Sequence, residues 1–450
     1  MILRIAVYKI HPYLMPLHNT LFLWDNNHIF IDRYQANPFR RYIMKKTSRK
    51  QSVNKKIGVS SQPPKKDLTT IIVLAVSGVI FLGMFLWLHS EDILGDKSDI
   101  FNPYGNELVE FEKATVTAIT SETMEADEYA EGAYRGSQEL YVIVKSGRYK
   151  GETMTIYNYF GALSGVPVDV GDGVTITIKT HSDGTHSATV YEFNRIPIIG
   201  AFIAVFFFSV ILVGGKAGLK SLIGLVITVI CLFSILIPLL LKGAPIIPTT
   251  VIMCTFVLLV SLTIFGGVNR KTISAFLGAV SGMLIAMIFG LVVQKIAKID
   301  GYRLEDAEPL LQLRYIDAKV RIRGLLVASI IVSALGAVMD EAMNISSALE
   351  EVHAANPSLG KSDLLRSGMN IGRDTVGTMT NALIMAFLGS EFSLMIFLFA
   401  RDLTFYHLYS TAFFALETIS GLSASIGMVL AIPITNLIAT SLITMKKHRK

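Results

Sequence analysis

Two stretches of this sequence place oxygen-bearing side chains at helical spacing within largely apolar text. Residues 333 to 351 read SALGAVMDEAMNISSALEE, with Asp340, Asn344, Ser347 and Glu351 at i, i+4, i+7 and i+11. On a helix these positions share one face, and Gly336 on that face gives another helix room to approach. Residues 367 to 381 read SGMNIGRDTVGTMTN, where Asp374, Thr378 and Asn381 repeat the i, i+4, i+7 pattern beside Gly377 and Thr380. A loop of about 22 residues separates the two faces, and an antiparallel hairpin would let them meet. The chemistry that fits is handling of an ion or a proton, because carboxylates at membrane depth are costly and usually serve transport or coupling. Asp340 would titrate or hold a cation, and Asn344, Thr378 and Asn381 would supply neutral oxygens. If Asp340 and Asp374 converged within a few ångströms, an intramembrane acid pair would be the alternative. The plainer alternative leaves Asp340 and Glu341 at the aqueous interface and pairs Arg373 with Asp374. Glu341 and Glu350 lie off the shared face and are expected near water.

Helices must position these residues in a membrane. The chain has 450 residues, 52% hydrophobic and only 17% charged, where a soluble chain carries about a quarter charged residues. Uncharged runs of 23, 20, 21, 27, 23 and 28 residues lie between Asp67 and Glu91, Arg195 and Lys216, Lys220 and Lys242, Lys242 and Arg270, Lys271 and Lys295, and Glu417 and Lys446. Each suits a hydrocarbon core of about 30 Å at about 1.5 Å per residue. Two further runs, Arg323 to Asp340 and Asp374 to Glu391, enclose only 16 residues each. To cross, those helices must draw a flanking charge toward the bilayer. The expectation is a mainly α, polytopic membrane protein of about eight spans.

Charge gives the orientation. Residues 1 to 67 hold 13 Lys/Arg against 3 acids, and residues 446 to 450 form a second basic tail. Basic segments stay cytoplasmic, so both termini are expected inside the cell membrane, with an even number of spans. Lys216, Lys220, Arg270 and Lys271 fall in cytoplasmic turns under this scheme, whereas the basic loop at 296 to 323 falls outside against the trend. The first 43 residues show no periodicity and the text changes at Met44, so either translation begins there or residues 1 to 43 belong to a genuine disordered tail. Residues 402 to 420 mix aromatics with His407 and Glu417 and read as an amphipathic helix lying along the surface.

The block from Glu91 to Arg195 has 8 Lys/Arg against 18 Asp/Glu and reads as a separate extracytoplasmic domain. ELYVIV (139 to 144), ETMTIYN (152 to 158), VTITIKT (174 to 180) and SATVYEF (187 to 193) alternate as strands do. Turn signals lie between them at SGRYKG (146 to 151), VGDG (170 to 173) and HSDGTH (181 to 186). About five short strands predict a small OB-like or SH3-like barrel. Its acidity argues against nucleic acid, which barrels of this kind bind through basic, aromatic faces. His181 and His186 flank Asp183, but two His without further ligands read as a solvated hairpin rather than a metal site.

No enzyme signature appears: there is no G-x-x-x-x-G-K-[ST] loop, H-E-x-x-H or G-x-S-x-G. Cys231 and Cys254 sit in apolar runs and read as packing residues. No cofactor or metal is expected.

The segments SALGAVMDEAMNISSALEE (333 to 351) and SGMNIGRDTVGTMTNALIMAF (367 to 387) resemble the most recognisable stretches of the YibE/F-like family of bacterial multi-pass membrane proteins. The order of parts is similar too: a basic tail, one span, a small extracytoplasmic β domain with an SGRYKGE turn, then a multi-span body over about residues 68 to 445. The resemblance implies membrane location but no substrate, reaction or catalytic residues. A looser likeness links the Asp-ended Gly-rich helix and the Thr-rich helix to the proton-coupled RND and MMPL transporters. The function expected is that of a permease-like or transport-associated protein, coupled to an ion or small solute. A non-transporting scaffold that binds an envelope protein through the β domain is the alternative.

Overall fold

The computed structural model describes residues 68–90, 108–180, 185–299, 310–311, 321–401 and 404–445. The two basic tails, most of the loop at 296 to 323, and His181 and Asp183 lie outside the described residues. The elements in order are α1 (Leu68–Ser90), β1 (Leu108–Ala126), β2 (Tyr134–Val144), β3 (Thr153–Phe160), β4 (Gly173–Thr180) and β5 (His186–Phe193). Then come α2 (Ile196–Cys231), a π-helical turn (Leu232–Leu236), α3 (Ile237–Leu241), α4 (Ile246–Gly266), α5 (Arg270–Ile296), α6 (Leu325–Ala355), α7 (Lys361–Ser390), α8 (Phe392–Ala400), α9 (Phe405–Ser410) and α10 (Ala412–Thr444).

The strands close into a barrel in the order β1-β2-β3-β5-β4. Alternation decides which side chains face inward: on β3, Ile156 and Phe160 are buried while Thr155, Tyr157 and Tyr159 point out. Leu140, Val142, Val116, Ile176 and Ile178 complete the core. One end of the barrel is closed by a polar clasp. The Gln138 amide accepts from Val168 N at 3.0 Å and from Asn158 Nδ2 at 3.0 Å, and donates to the Val168 carbonyl at 3.0 Å. Asn158 also donates to the Val166 carbonyl at 3.0 Å. The 161–172 loop is thereby tied across the barrel. At the Ser146–Gly147 turn, Ser146 Oγ donates to Glu112 at 2.5 Å, and Gly147 has φ +70° with the Glu112 carboxylate where a Cβ would stand. The positive φ favours glycine there.

Among the described residues, six helices are long and apolar enough to cross a membrane, or seven if α7 and α8, bent by 62°, count as one span. One of the six is the 46-residue run Ile196–Leu241. At about 1.5 Å per residue it would measure about 69 Å, over twice the hydrocarbon thickness. It is not straight. Gly215 has φ 53 and ψ −130, and a Cβ on Gly218 would overlap the Val210 carbonyl. Residues eight apart in an unbroken helix stand about 12 Å apart, so the chain folds back sharply here.

Two contacts gather one end of the bundle. Val268 N donates to Thr70 Oγ1 at 2.9 Å, and Arg270 Nη1 donates to the carbonyls of Leu442 at 2.9 Å and Met445 at 3.2 Å. The start of α1, the α4–α5 turn and the end of α10 therefore lie together. Asn269 caps α5 by accepting from Thr272 N.

The core is α5, α6 and α10, packed through missing side chains. A Cβ on Gly282 would stand 2.7 Å from Ala431 Cβ and 2.8 Å from the Gly427 carbonyl, and one on Gly427 would meet Ala286 Cβ at 2.6 Å. Gly278 lies directly on Thr435.

Two expectations need correction. The connection between the polar helices is not a loop of about 22 residues: α6 and α7 run on to Ala355 and Lys361 and leave only a five-residue turn. Residues 402 to 420 do not form one surface helix, because α10 already begins at Ala412 and continues as a membrane-length helix.

Gly282→Leu should lower the stability of the detergent-purified protein by about 1–3 kcal/mol, since overpacking displaces backbone. A drop in thermal midpoint without loss of expression checks this. Gln138→Leu should cost about 1–3 kcal/mol through unpaired buried groups, and limited proteolysis should then cut within residues 161 to 172.

Candidate carboxylate site

α6 and α7 form the antiparallel pair that the polar spacing anticipates, but the polar stripes do not meet inside it. Asp340 and Asn344 on α6 and Asp374, Thr378 and Asn381 on α7 are exposed, and Ser347 is half-buried. The stripes lie on the helix sides turned away from the buried contacts with α5 and α10. Asp340 and Asp374 have no hydrogen-bond or ion-pair partner among the described residues, so neither an acid pair nor an Arg373–Asp374 bridge forms. Gly336 and Gly377 have no atom within 4 Å of a Cβ position. They therefore pack against none of the described residues. That role on α7 belongs to Gly368 and Gly372, where a Cβ would overlap Asn436 and Ile432 of α10. Asn436 Nδ2 then reaches the Leu365 carbonyl at 2.8 Å.

The close approach of α7 encloses a different carboxylate. Glu341, expected near water, is fully buried, and it is the only charged side chain with this burial among the described residues. It shares the apolar face of Val338 and Ile345, at i−3 and i+4. Thr375 Oγ1 lies 2.5 Å from Glu341 Oε1 and 3.0 Å from the Gly372 carbonyl. Glu341 Oε2 is buried and has no hydrogen-bond partner among the described residues. Glu350, by contrast, is exposed as expected.

The depth of Glu341 follows from the helix register. Ser274 Oγ donates to Ser346 Oγ at 3.1 Å, and Gly282 packs on Val338. Glu341 is thus level with Ala279, about 14 Å along the axis from Arg270 at about 1.5 Å per residue. Thr435, whose buried Oγ1 also lacks a partner among the described residues, belongs to the same region through Gly278. Between Lys271 and Lys295 on α5, and throughout α4 and α10 beyond Glu417, the sequence holds no charge.

This arrangement has two hydrogen-bonded forms. Thr375 has one hydroxyl proton and two oxygens within reach. When Glu341 is ionised, Thr375 donates to Oε1, and a 2.5 Å O–H···O⁻ contact is at the short end of that class. When Glu341 is protonated at Oε1, it donates to Thr375, whose own proton turns to the Gly372 carbonyl. A cation at Oε2 would supply the missing partner, and a proton there would remove the buried charge, which is expensive to leave unpaired.

The barrel offers a separate surface. Tyr141, Tyr157 and Tyr159 are exposed on the outer face of β2 and β3, and the rings of Tyr157 and Tyr159 stack at 6.2 Å. The Glu139 carboxylate beside Tyr157 pushes its phenol above the ordinary tyrosine range. His186 Nδ1 lies 3.1 Å from Thr180 Oγ1 and 3.3 Å from Tyr149 Oη.

Residues 202–445 match the family model described as YibE/F-like protein, and residues 107–193 match that of the YibE/F family N-terminal domain. No curated protein matches the chain, and no solved structure does.

Thr375→Val should destabilise the protein by about 1–3 kcal/mol, because it leaves both oxygens of a buried carboxyl without a side-chain donor. Adding Glu341→Leu should recover most of that loss. A double-mutant cycle on thermal or denaturant midpoints measures the coupling, and additive effects would refute the bond between them.

Proposed function

The chain belongs to the YibE/F-like family, and on that premise we propose that it is a transport-associated membrane protein in which Glu341 carries a proton or small cation. The observation that carries this is the buried Glu341 carboxyl, with one oxygen on Thr375 and the other without a partner among the described residues. A group buried at this depth has its charge coupled to helix packing, which is what a coupling residue requires. Asp340, Asn344, Asp374, Thr378 and Asn381 would then line the hydrated approach rather than the binding point. The reading is of a permease-like protein, not an enzyme.

Eight crossings fit this proposal. The fold-back at Gly215 divides Ile196–Leu241 into two spans, and α7 with α8 makes one broken span. Lys220 Nζ reaches the Phe265 carbonyl at 3.3 Å, which supports a turn near residue 215 at the end that also holds Arg270. The basic residues at that end favour the cytoplasm of a plasma membrane, with both termini there and the barrel on the opposite side. The strand order β1-β2-β3-β5-β4 supports an OB-type barrel.

A second role is favoured by the exposed tyrosines of β2 and β3. They offer a surface on which an envelope protein could dock, in a scaffold that transports nothing.

The test is proton flux into proteoliposomes holding a pH-sensitive dye, driven by a potassium diffusion potential. Flux should fall at least tenfold in Glu341→Gln and change little in Asp340→Asn. Undiminished flux in Glu341→Gln would overturn the assignment. If no flux occurs but removal of residues 107 to 193 abolishes the cellular phenotype, the scaffold role holds instead.

A further inference from the structure

One face of α7 is left uncovered by the described residues. Asn370, Arg373, Asp374, Gly377, Asn381 and Leu388 are all exposed on it. The side chains of Asn370, Arg373, Asp374 and Asn381 make no hydrogen bond or ion pair to a described residue, and Gly377 has no atom within 4 Å of a Cβ position. Asp374 adjoins Thr375, the partner of Glu341, so this face lies at the depth of the buried carboxyl and not at a helix end. On the broken span proposed for α7 and α8, bare lipid would meet an aspartate, an arginine and two amides. Charged side chains at such depth are costly and turn toward protein or a water-filled cavity.

The spacing shows what kind of surface this is. Asn370, Asp374, Gly377, Asn381 and Leu388 follow one another at steps of four, three, four and seven. That is the period of about 3.5 residues with which one helix supercoils along another. The residues on the seam then select the partner. In a parallel pair each seam side chain enters a hole bordered by four residues of the facing helix. For Asp374 against an identical helix, those four are the partner's Asn370, the partner's Arg373, the partner's Asp374 and the partner's Gly377. Each carboxylate thus meets a guanidinium of the other copy, and a two-fold axis repeats the pair. Arg373 and Asp374 cancel in charge, so the face is complementary to itself. Asn370 and Asn381 carry both donors and an acceptor and can bond to their own copies, and Gly377 lets the two backbones approach.

We infer that this face of α7 is the interface of a two-fold symmetric dimer, in which the second copy's α7 runs parallel to the first and Arg373–Asp374 pairs cross the seam in both directions. The inference rests on the membrane placement of α7 and not on flux through Glu341. Asp340 and Asn344, on α6, stay off the seam.

The experiment is oxidative cross-linking of the full chain in proteoliposomes of phosphatidylethanolamine and phosphatidylglycerol, in a Cys231→Ala/Cys254→Ala background. Asn381→Cys should give a covalent dimer, and Val205→Cys, at an exposed position of α2, should not. Subunit counting by single-molecule photobleaching at increasing lipid dilution reads the charge pairs. Asp374→Arg should weaken association at least tenfold, and Arg373→Asp/Asp374→Arg, which restores the pairs with their signs exchanged, should return it to within threefold of the parent chain. Thermal midpoints identify the folded variants. Asn381→Cys alters no charge, so the proposal stays testable if the charge variants fail to fold. Monomers at every dilution, no cross-link at Asn381→Cys, equal cross-linking at both positions, or equal loss in the folded single and exchanged variants would overturn it. In native membranes, an Asn381→Cys adduct of a mass other than twice the chain would assign the face to a different membrane protein and overturn it as well. None of these readings involves proton movement, so their failure and that of the Glu341 assignment are distinguishable.

Discussion

The bundle depends on the approach of α5 and α10 at positions without side chains. Gly278, Gly282 and Gly427 bring the two backbones together so closely that even a methyl group would strike a carbonyl or a neighbouring Cβ. In a lipid solvent there is no hydrophobic drive to press helices together, so close packing must supply the association. The same device recurs on α7, where Gly368 and Gly372 seat the helix against Asn436 and Ile432. Once α7 is held there, Thr375 meets Glu341. The carboxyl's burial is thus a consequence of glycine positions on other helices.

This explains which features were legible in the sequence. The apolar runs gave the membrane helices, because length and absence of charge are properties of single segments. Strands β2 to β5 were legible by alternation. β1 was not picked out as a strand: its register shifts between Val116 and Ala118 and between Ile119 and Ser121 interrupt the alternation over its 19 residues. The antiparallel pairing of the two polar helices was also legible, although their extension to a five-residue turn was not. A charge count ends a helix at the first ionised residues, whereas these helices continue past them.

The choice of carboxylate was not legible from polarity alone. Helical spacing groups Asp340 with Asn344 and Ser347, and a polar stripe is easily taken for the inside of a pathway. Which face is buried depends on the neighbours. The signal was present in another form: Val338, Glu341 and Ile345 share a face with the apolar stripe, and α7 carries a Gly-x-x-x-Gly step three residues before Thr375. An acid among packing residues opposite a glycine step marks a buried charge more surely than an acid among other polar groups.

Asp340 and Glu341 are adjacent in sequence yet about 100° apart around the helix, as 3.6 residues per turn require. That rotation separates their physical roles. Exposed Asp340 makes no hydrogen bond to a described residue, so a change in its charge breaks no bond between helices. A proton gained or lost by Glu341 reverses the direction of its bond with Thr375, redirects the hydroxyl to or from the Gly372 carbonyl, and so acts on the segment of α7 seated against α10. Glu341 is therefore the acid whose hydrogen bond ties α6 to α7, and the glycine contacts that bury it are what make it so.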